Sequence, residues 1–383
     1  MIEGFRKLVR AGGRWILRGW ILDLWLRRKM RRLERTYSQN LLDRSQGRPA
    51  NETIPTLSRG APLRRLLFIS DVHWEAKQLV PELQKIAPVE TINFRPHLPM
   101  EGRTGDPKQV ITFLREQFAS GSLPEPDAIL FYARSNLLSE EVFELIRKRW
   151  SCPLMGMNLD DKIEFLEYGL LSERSDNYQA WARFFDLNLT NVRAVADWYA
   201  DRGCPVHYLP EGFHPRHSPP EFPAGGYRHE ISFVGQWKPE REILFRRLQQ
   251  MGLPIEPVGF GWPDDAAGHD PESVYRTSML NLGMGFASPS HALTTLKTRD
   301  FECPGSGGCY LTTFNWELGL HFEIGREILC YRSNEELVEI FSFYRRRPEA
   351  CFQIALAGYQ RCLREHTWEK RFRGVFQKAG FRC

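Results

Sequence analysis

The chain has 383 residues, 42% hydrophobic and 26% charged, so it has the means to bury a core and is not a disordered polymer. At ordinary domain size this length suggests about two domains. The net charge of +5 hides an asymmetry: residues 1–65 carry 16 Lys/Arg against 5 Asp/Glu, and the remainder 36 against 42. The basic character therefore belongs to an N-terminal arm, and the mildly acidic body argues against a nucleic-acid partner. The eight cysteines include no CxxC pair and no zinc-finger spacing with histidine, so they are read as reduced thiols of a cytoplasmic protein. No run of about 18 apolar residues is present, which excludes an ordinary membrane-spanning helix.

Residues 5–35 read as one amphipathic helix. Arg10, Arg14 and Arg18 repeat every four residues, with Trp15, Ile16, Trp20, Leu22, Leu24 and Leu26 over much of the remainder. Such a helix can lie in a membrane interface, drawn by anionic lipid, which would make the protein peripheral at the membrane. It can equally pack on its own body or on a second subunit. Residues 43–62 are polar, contain three prolines and read as a linker.

From residue 63 short apolar runs alternate with amphipathic ones. Strands are expected at 63–70, 89–94, 127–132, 153–159, 184–190 and 205–210, with helices at 75–86, 107–119 and 139–150. Ser139 is the capping candidate of the last helix. A segment with four prolines and three glycines, 211–230, separates this half from a second alternating series. There, strands are expected at 230–235, 254–260, 279–284, 308–313 and 327–331, a helix at 239–251, and a helical tail from 334. Alternation of this kind implies two mostly parallel, doubly wound α/β halves with a cleft between them, divided here as 1–60, 61–220 and 221–383. Ligands of such folds bind beyond the carboxyl ends of the strands.

No P-loop is present, and no GxGxxG follows the first strand. FVGQWKPERE, residues 233–242, ends a strand on Gly235 and offers Lys238 and Arg241 at a helix entrance. Unpaired N–H groups and partial positive charge there suit a phosphate, although many such junctions are only structural. TRDFECPGSGG, residues 298–308, places Arg299 and Glu302 on a helix ahead of Gly307 and Gly308. A glutamate there can accept both hydrogen bonds of a ribose diol, an arginine can neutralise a diphosphate, and glycine permits close backbone approach. An internal ion pair or cap is the alternative. Tyr275 and Asn281 are candidates for contacts to the base and the sugar. In SDVHWE, Asp71 and His73 fall at the cleft edge, and His73 can take a proton from an acceptor hydroxyl or orient it. Both are read as catalytic candidates, with a surface or capping role as the alternative. Asp160 and Asp161 follow another strand as acceptor-binding carboxylates or as a helix cap. His366 packs or caps the terminal helices, or borders the cleft.

The order of FVG with basic residues behind it, MLNLG (279–283), TRDFECPGSGGCYLTT (298–313), NEEL (334–337), YRRRPE (344–349), IALAGYQ (354–360) and HTWEKR (366–371) resembles the CgeB-like glycosyltransferases, relatives of the "glycosyl transferases group 1" class. The resemblance is good over about 230–372, looser over 63–220, where NLDD and YLPEGFHP carry it, and absent from 1–60. It implies a GT-B fold of two Rossmann-like domains with a central cleft, and a UDP- or GDP-sugar donor held by the C-terminal domain. It also implies no required cofactor or metal, an acceptor hydroxyl on a glycan, protein or lipid, and retention of configuration. On it, Glu302 would hold the donor ribose, Lys238 and Arg241 would contact the diphosphate, and Gly307 and Gly308 would let the backbone close on phosphate or sugar. The group-1 enzymes pair two glutamates with seven residues between; here the earlier position is Thr294. That loss favours, as the rival reading, a non-catalytic relative that binds glycan or nucleotide.

The arm supplies a test: deleting residues 1–45 is expected to release the protein from anionic liposomes in a co-sedimentation assay. If the full-length chain ignores such liposomes, the arm is a packing or oligomer element.

Overall fold

The computed structural model describes residues 52–71, 75–97, 106–121, 123–159, 161, 178–216, 218–262, 270–285 and 295–383. The basic arm, His73, Asp160 and Thr294 lie outside them.

The first series runs β1 (Leu66–Ser70), α1 (Glu75–Leu83), β2 (Val89–Asn93), α2 (Pro107–Ala119), β3 (Ala128–Tyr132), α3 (Glu140–Arg149), β4 (Leu154–Asn158), the single turn α4 (Tyr178–Trp181), β5 (Leu187–Thr190), α5 (Arg193–Asp201) and β6 (Val206–Tyr208). The second runs β7 (His229–Val234), α6 (Pro239–Gln250), β8 (Ile255–Val258), α7 (Pro271–Thr277), β9 (Ser278–Leu282), α8 (Thr298–Gly305), β10 (Tyr310–Thr313), β11 (Leu329–Tyr331), α9 (Asn334–Tyr344), α10 (Pro348–Glu365) and α11 (Trp368–Lys378). The strands form two all-parallel sheets, ordered β2-β1-β3-β4-β5-β6 and β11-β10-β9-β7-β8.

Local sequence explains these elements. The central strands LLFIS, LMGMN and SMLNL are buried along their whole length, as strands covered on both faces must be. VETIN, at the sheet edge, is only partly buried. Helix α2 begins where the Asp106 side chain accepts from the Lys108 N–H and Pro107 takes the first helical position. Ser139 does occupy the N-cap position of α3 with extended backbone, but its side chain makes no capping bond. The sequence reading assigns no helix to 193–201 or 271–277. In α5 the buried Val195, Ala196 and Tyr199 recur at helical spacing, and α7 opens with Pro271 after Asp270.

The described chain divides into two compact units. One runs to Pro215 and takes back Arg364–Cys383; the other spans Arg216–Leu363. The division falls inside the Pro/Gly-rich connection, but the sequence reading keeps the last twenty residues with the second domain. The reason for their return is apolar: Trp368, Phe372, Val375 and Phe376 of α11 are buried in one cluster with Leu66, Phe68, Leu79 and Leu83. Residues 52–62, read as linker, are also built into the first unit. Leu57 and Ser58 donate to the Ala379 carbonyl at 2.9 and 3.0 Å, and Gly60 donates to Gly380. Gly380, at φ +91°, lies so close to the Ser58 carbonyl that a Cβ has no space there.

Trp368 is fully buried, with its ring tilted against that of Phe372 at a centroid distance of 5.8 Å. Trp368→Ala is expected to destabilise the first unit by about 3–5 kcal/mol. Denaturant unfolding checks this; an unchanged midpoint would contradict the packing role of α11.

Candidate active site

In the second sheet, β7 is the first strand, and the chain leaves it for β8 on one side and β9 on the other. The carboxyl ends of β7 and β9 thus border a topological switch point, where open α/β sheets leave a crevice. The turn after β7 is held against the turn after β8. Gly235 N–H donates to Val258 at 2.8 Å, Trp237 N–H donates to Phe260 at 2.8 Å, and the Trp262 indole N–H donates to the Gly235 carbonyl at 2.9 Å. Lys238 is then the N-cap residue of α6 and Pro239 its first helical residue. Arg241, in the first turn, donates from Nη1 to the Gln236 carbonyl at 2.6 Å.

Arg299 comes from the first turn of α8 and meets the same place. Its guanidinium carbon lies 4.7 Å from the Phe233 ring centroid, and that of Arg241 lies 5.1 Å from it. Two positive charges therefore share one aromatic ring and stand within about 10 Å of each other, a repulsion on the order of 1–2 kcal/mol at an effective dielectric of about 20. Cation–π attraction to Phe233 offsets part of it. Burial, and then the neighbouring Arg299, lower the Arg241 pKa to about 10. For Arg299 burial opposes the charge, but Tyr275, Tyr310, Asp300 and Glu302 outweigh it and hold the guanidinium above its ordinary value. Among the described residues neither arginine forms a close ion pair, and Arg299 Nε is buried without a hydrogen-bond partner. Such a pair is suited to an anion with several oxygens.

Tyr275 joins this group to Glu302. It is buried, its hydroxyl donates to Glu302 Oε2 at 3.3 Å, and it also interacts with Arg299. Burial, and then Glu302, push the phenol well above its usual range, so it stays a donor. Asp300 is turned the other way. One oxygen accepts from the Lys297 N–H at 2.7 Å and the other from the Tyr310 hydroxyl at 2.6 Å, which fixes the start of α8. The structure thus brings together Gly235, Arg241, Tyr275, Arg299 and Glu302, with Lys238 on the same turn as Arg241.

Other candidates are placed elsewhere. Asn281 is inside the sheet: its amide donates to the carbonyls of Tyr275 and Cys309, and its oxygen accepts from Ser232 Oγ at 3.0 Å. Those bonds use its polar atoms within the fold. Gly307 and Gly308 end α8 ahead of the amino end of β10, donating to Pro304 at 2.9 Å and Cys303 at 2.9 Å. Gly307, at φ +89°, is a helix C-terminal glycine packed on Pro220, and a Cβ on Gly308 would strike Asn281 and Cys303. Protein fills the space around both, and they lie at the amino end of β10, opposite the carboxyl ends of β7 and β9. In the first unit, buried Asp71 pairs with Arg134. Asp161 is buried on Asn158 and Tyr199, and His366 is buried against Arg371, so both serve packing. Among the described residues no group of three His, Cys, Asp or Glu side chains is placed to hold a metal ion, and all eight cysteines are free.

Two arginines and a glutamate thus stand near the switch point of a doubly wound unit. Comparison with known proteins bears on the fold and the family. Residues 240–377 match the family model described as glycosyl transferase-like. Among solved structures the chain is similar to sucrose-phosphate synthase from Thermosynechococcus elongatus, with TM-score 0.56 and 11% identity over 82% of this chain and 98% of that one. It is also similar to HepE of Anabaena in complex with UDP-glucose, with TM-score 0.53 and 12% identity over 82% and 98%. A comparison with curated proteins finds no match. At these identities the likeness is one of fold, and the fold is the GT-B type: two Rossmann-like α/β domains with parallel sheets.

Sequence reasoning missed Phe233, Trp262 and Asp300. Asp300 had a signal, an acid at the third helical position. Phe233 had none, because only the folded chain brings Arg241 and Arg299 onto it. A Cβ on Gly235 would lie 2.6 Å from Arg299 Nη2. Gly235→Ala is therefore expected to push Arg299 aside and, because Gly235 lies at φ +157°, where an L side chain is strained, to lower Tm, while weakening UDP binding about tenfold as charge-assisted bonds are lost. Calorimetric titration checks this; unchanged affinity would separate Gly235 from the site.

Proposed function

We propose that the protein is a glycosyltransferase that moves a sugar from a UDP- or GDP-sugar to an acceptor hydroxyl of a glycan, protein or lipid. The observation that carries this reading is the pair Arg241 and Arg299 on one ring at the β7/β9 switch point, with Glu302 alongside. The glycosyl transferase-like match over 240–377 and the shared fold of HepE, solved with UDP-glucose, support it.

On this reading the donor diphosphate lies against Arg241, Arg299, Lys238 and the N–H groups opening α6. The bond from the anomeric carbon to the diphosphate oxygen breaks. Negative charge grows on that oxygen, and fixed positive groups stabilise it as it leaves. Guanidinium groups supply this charge directly, and the reading takes the reaction as metal-independent. Glu302 accepts from the ribose diol, and Tyr275 keeps its carboxylate oriented. The acceptor hydroxyl attacks the anomeric carbon and loses its proton. His73 is the proposed base, since Asp71 is already engaged by Arg134. Retention, which requires the acceptor hydroxyl to enter on the face from which the diphosphate leaves, a cytoplasmic location and attachment of residues 1–35 to an anionic membrane surface belong to the same proposal.

Glu302→Ala and Arg241→Ala are each expected to lower donor turnover at least a hundredfold without loss of fold, measured as UDP or GDP release with a panel of donors. Wild-type turnover in both variants overturns the site. Donor binding without turnover in any acceptor screen would instead favour a non-catalytic nucleotide-binding protein.

A further inference from the structure

The first sheet has its own switch point, between β1 and β3, because β1 pairs with β2 on one side and β3 on the other. Asp71 directly follows β1 and Arg134 lies two residues beyond β3, so the two meet at the carboxyl ends of these strands. Asp71 is buried, at 1% exposure, and takes two bonds from the same residue. Arg134 N–H donates to Oδ1 at 3.3 Å and its Nε donates to Oδ2. A guanidinium held through its Nε–H has its direction fixed, and its terminal amino groups keep donors that this clamp does not use. The Arg134 side chain stays 27% exposed, and its terminal amino groups make no hydrogen bond to any described residue.

A carboxylate buried behind a half-exposed arginine is the arrangement that orients a guanidinium for a planar or tetrahedral oxyanion. A clamp that only joined β1 to β3 would gain nothing from leaving two donor groups at the strand ends of a switch point, where sheets of this kind take their ligands. We infer that Arg134 is an anion-binding residue and that the molecule taken by the first unit carries a phosphate group. This goes beyond the donor reading, because it assigns a chemical class to the second substrate. Asp71 is then a positioning residue. Its role is to hold Arg134.

The test uses the full chain carrying Arg299→Ala, which weakens the donor site while Arg241 and Lys238 remain, and inorganic phosphate as probe in calorimetric titration; the readout is the part of the binding that depends on Arg134. That chain is expected to bind phosphate. Adding Arg134→Lys keeps a positive charge beside Asp71, and hence the fold, but removes the fork; binding should weaken about tenfold at unchanged Tm. Glucose 6-phosphate should bind the Arg299→Ala chain where glucose does not, which ties the site to a phosphorylated molecule. If glucose and glucose 6-phosphate behave alike, the site takes free phosphate only and the substrate assignment is overturned. Unchanged phosphate affinity on Arg134→Lys, or no phosphate binding at all, overturns the inference. Neither outcome depends on nucleotide binding, so the donor reading stands or falls separately.

Discussion

Two guanidinium groups lie over one phenyl ring, and the layout of the second unit follows from tolerating them. Phe233 ends a strand buried between helices, so its position is set by the core. Arg241 reaches it from the helix after β7, and Arg299 from a helix that arrives only after β9. Gly235 must lack a side chain to admit Arg299. Asp300 must hold the entrance of α8, and Tyr275 must lie between Arg299 and Glu302. Like charges this close repel, which the ring of Phe233 and the neighbouring Asp300 and Glu302 partly offset, and they stand at the carboxyl ends of strands at a switch point, where such folds bind ligands.

The first unit depends on a different buried charge. Glu82 of α1 is fully enclosed, yet it accepts from Lys85, meets His214 Nδ1 at 2.9 Å, and accepts from the Glu369 N–H of α11 at 3.2 Å. An isolated buried carboxylate would be strongly destabilising; with three partners it becomes a tie among three distant segments. The backbone bonds from Phe213 to His366 and from Trp368 back to Phe213 add to it. The last twenty residues return to the first sheet through this polar tie and the aromatic face of α11.

Local elements were legible because their physics is local. Helix α2 was readable from apolar spacing and proline, and the strands from short apolar runs, since both signals sit within a dozen residues. The candidate site was proposed from residue type near a turn, Lys238 and Arg241 after a strand and Arg299 and Glu302 on one helix, and the structure places both arginines over one ring with Tyr275 joining Arg299 to Glu302. Gly307 and Gly308 show the opposite case. A glycine pair carries the same signal whether it serves a ligand or a helix end, and packing on Pro220, Asn281 and Cys303 gave it the second role. Asn281 was likewise a polar residue whose partners, Ser232 and the carbonyls of Tyr275 and Cys309, are far apart in sequence or on other elements.

By itself the sequence determined two parallel α/β halves, the basic arm, and the helix that brings Arg299 and Glu302 together, because periodicity, capping and charge act over short spans. Tertiary structure alone decided which strand ends share a crevice, that Phe233 seats both arginines, that Asp71 faces Arg134, and that α11 belongs to the first unit. Those outcomes follow from strand order and from burial of apolar faces, which link residues tens to hundreds of positions apart.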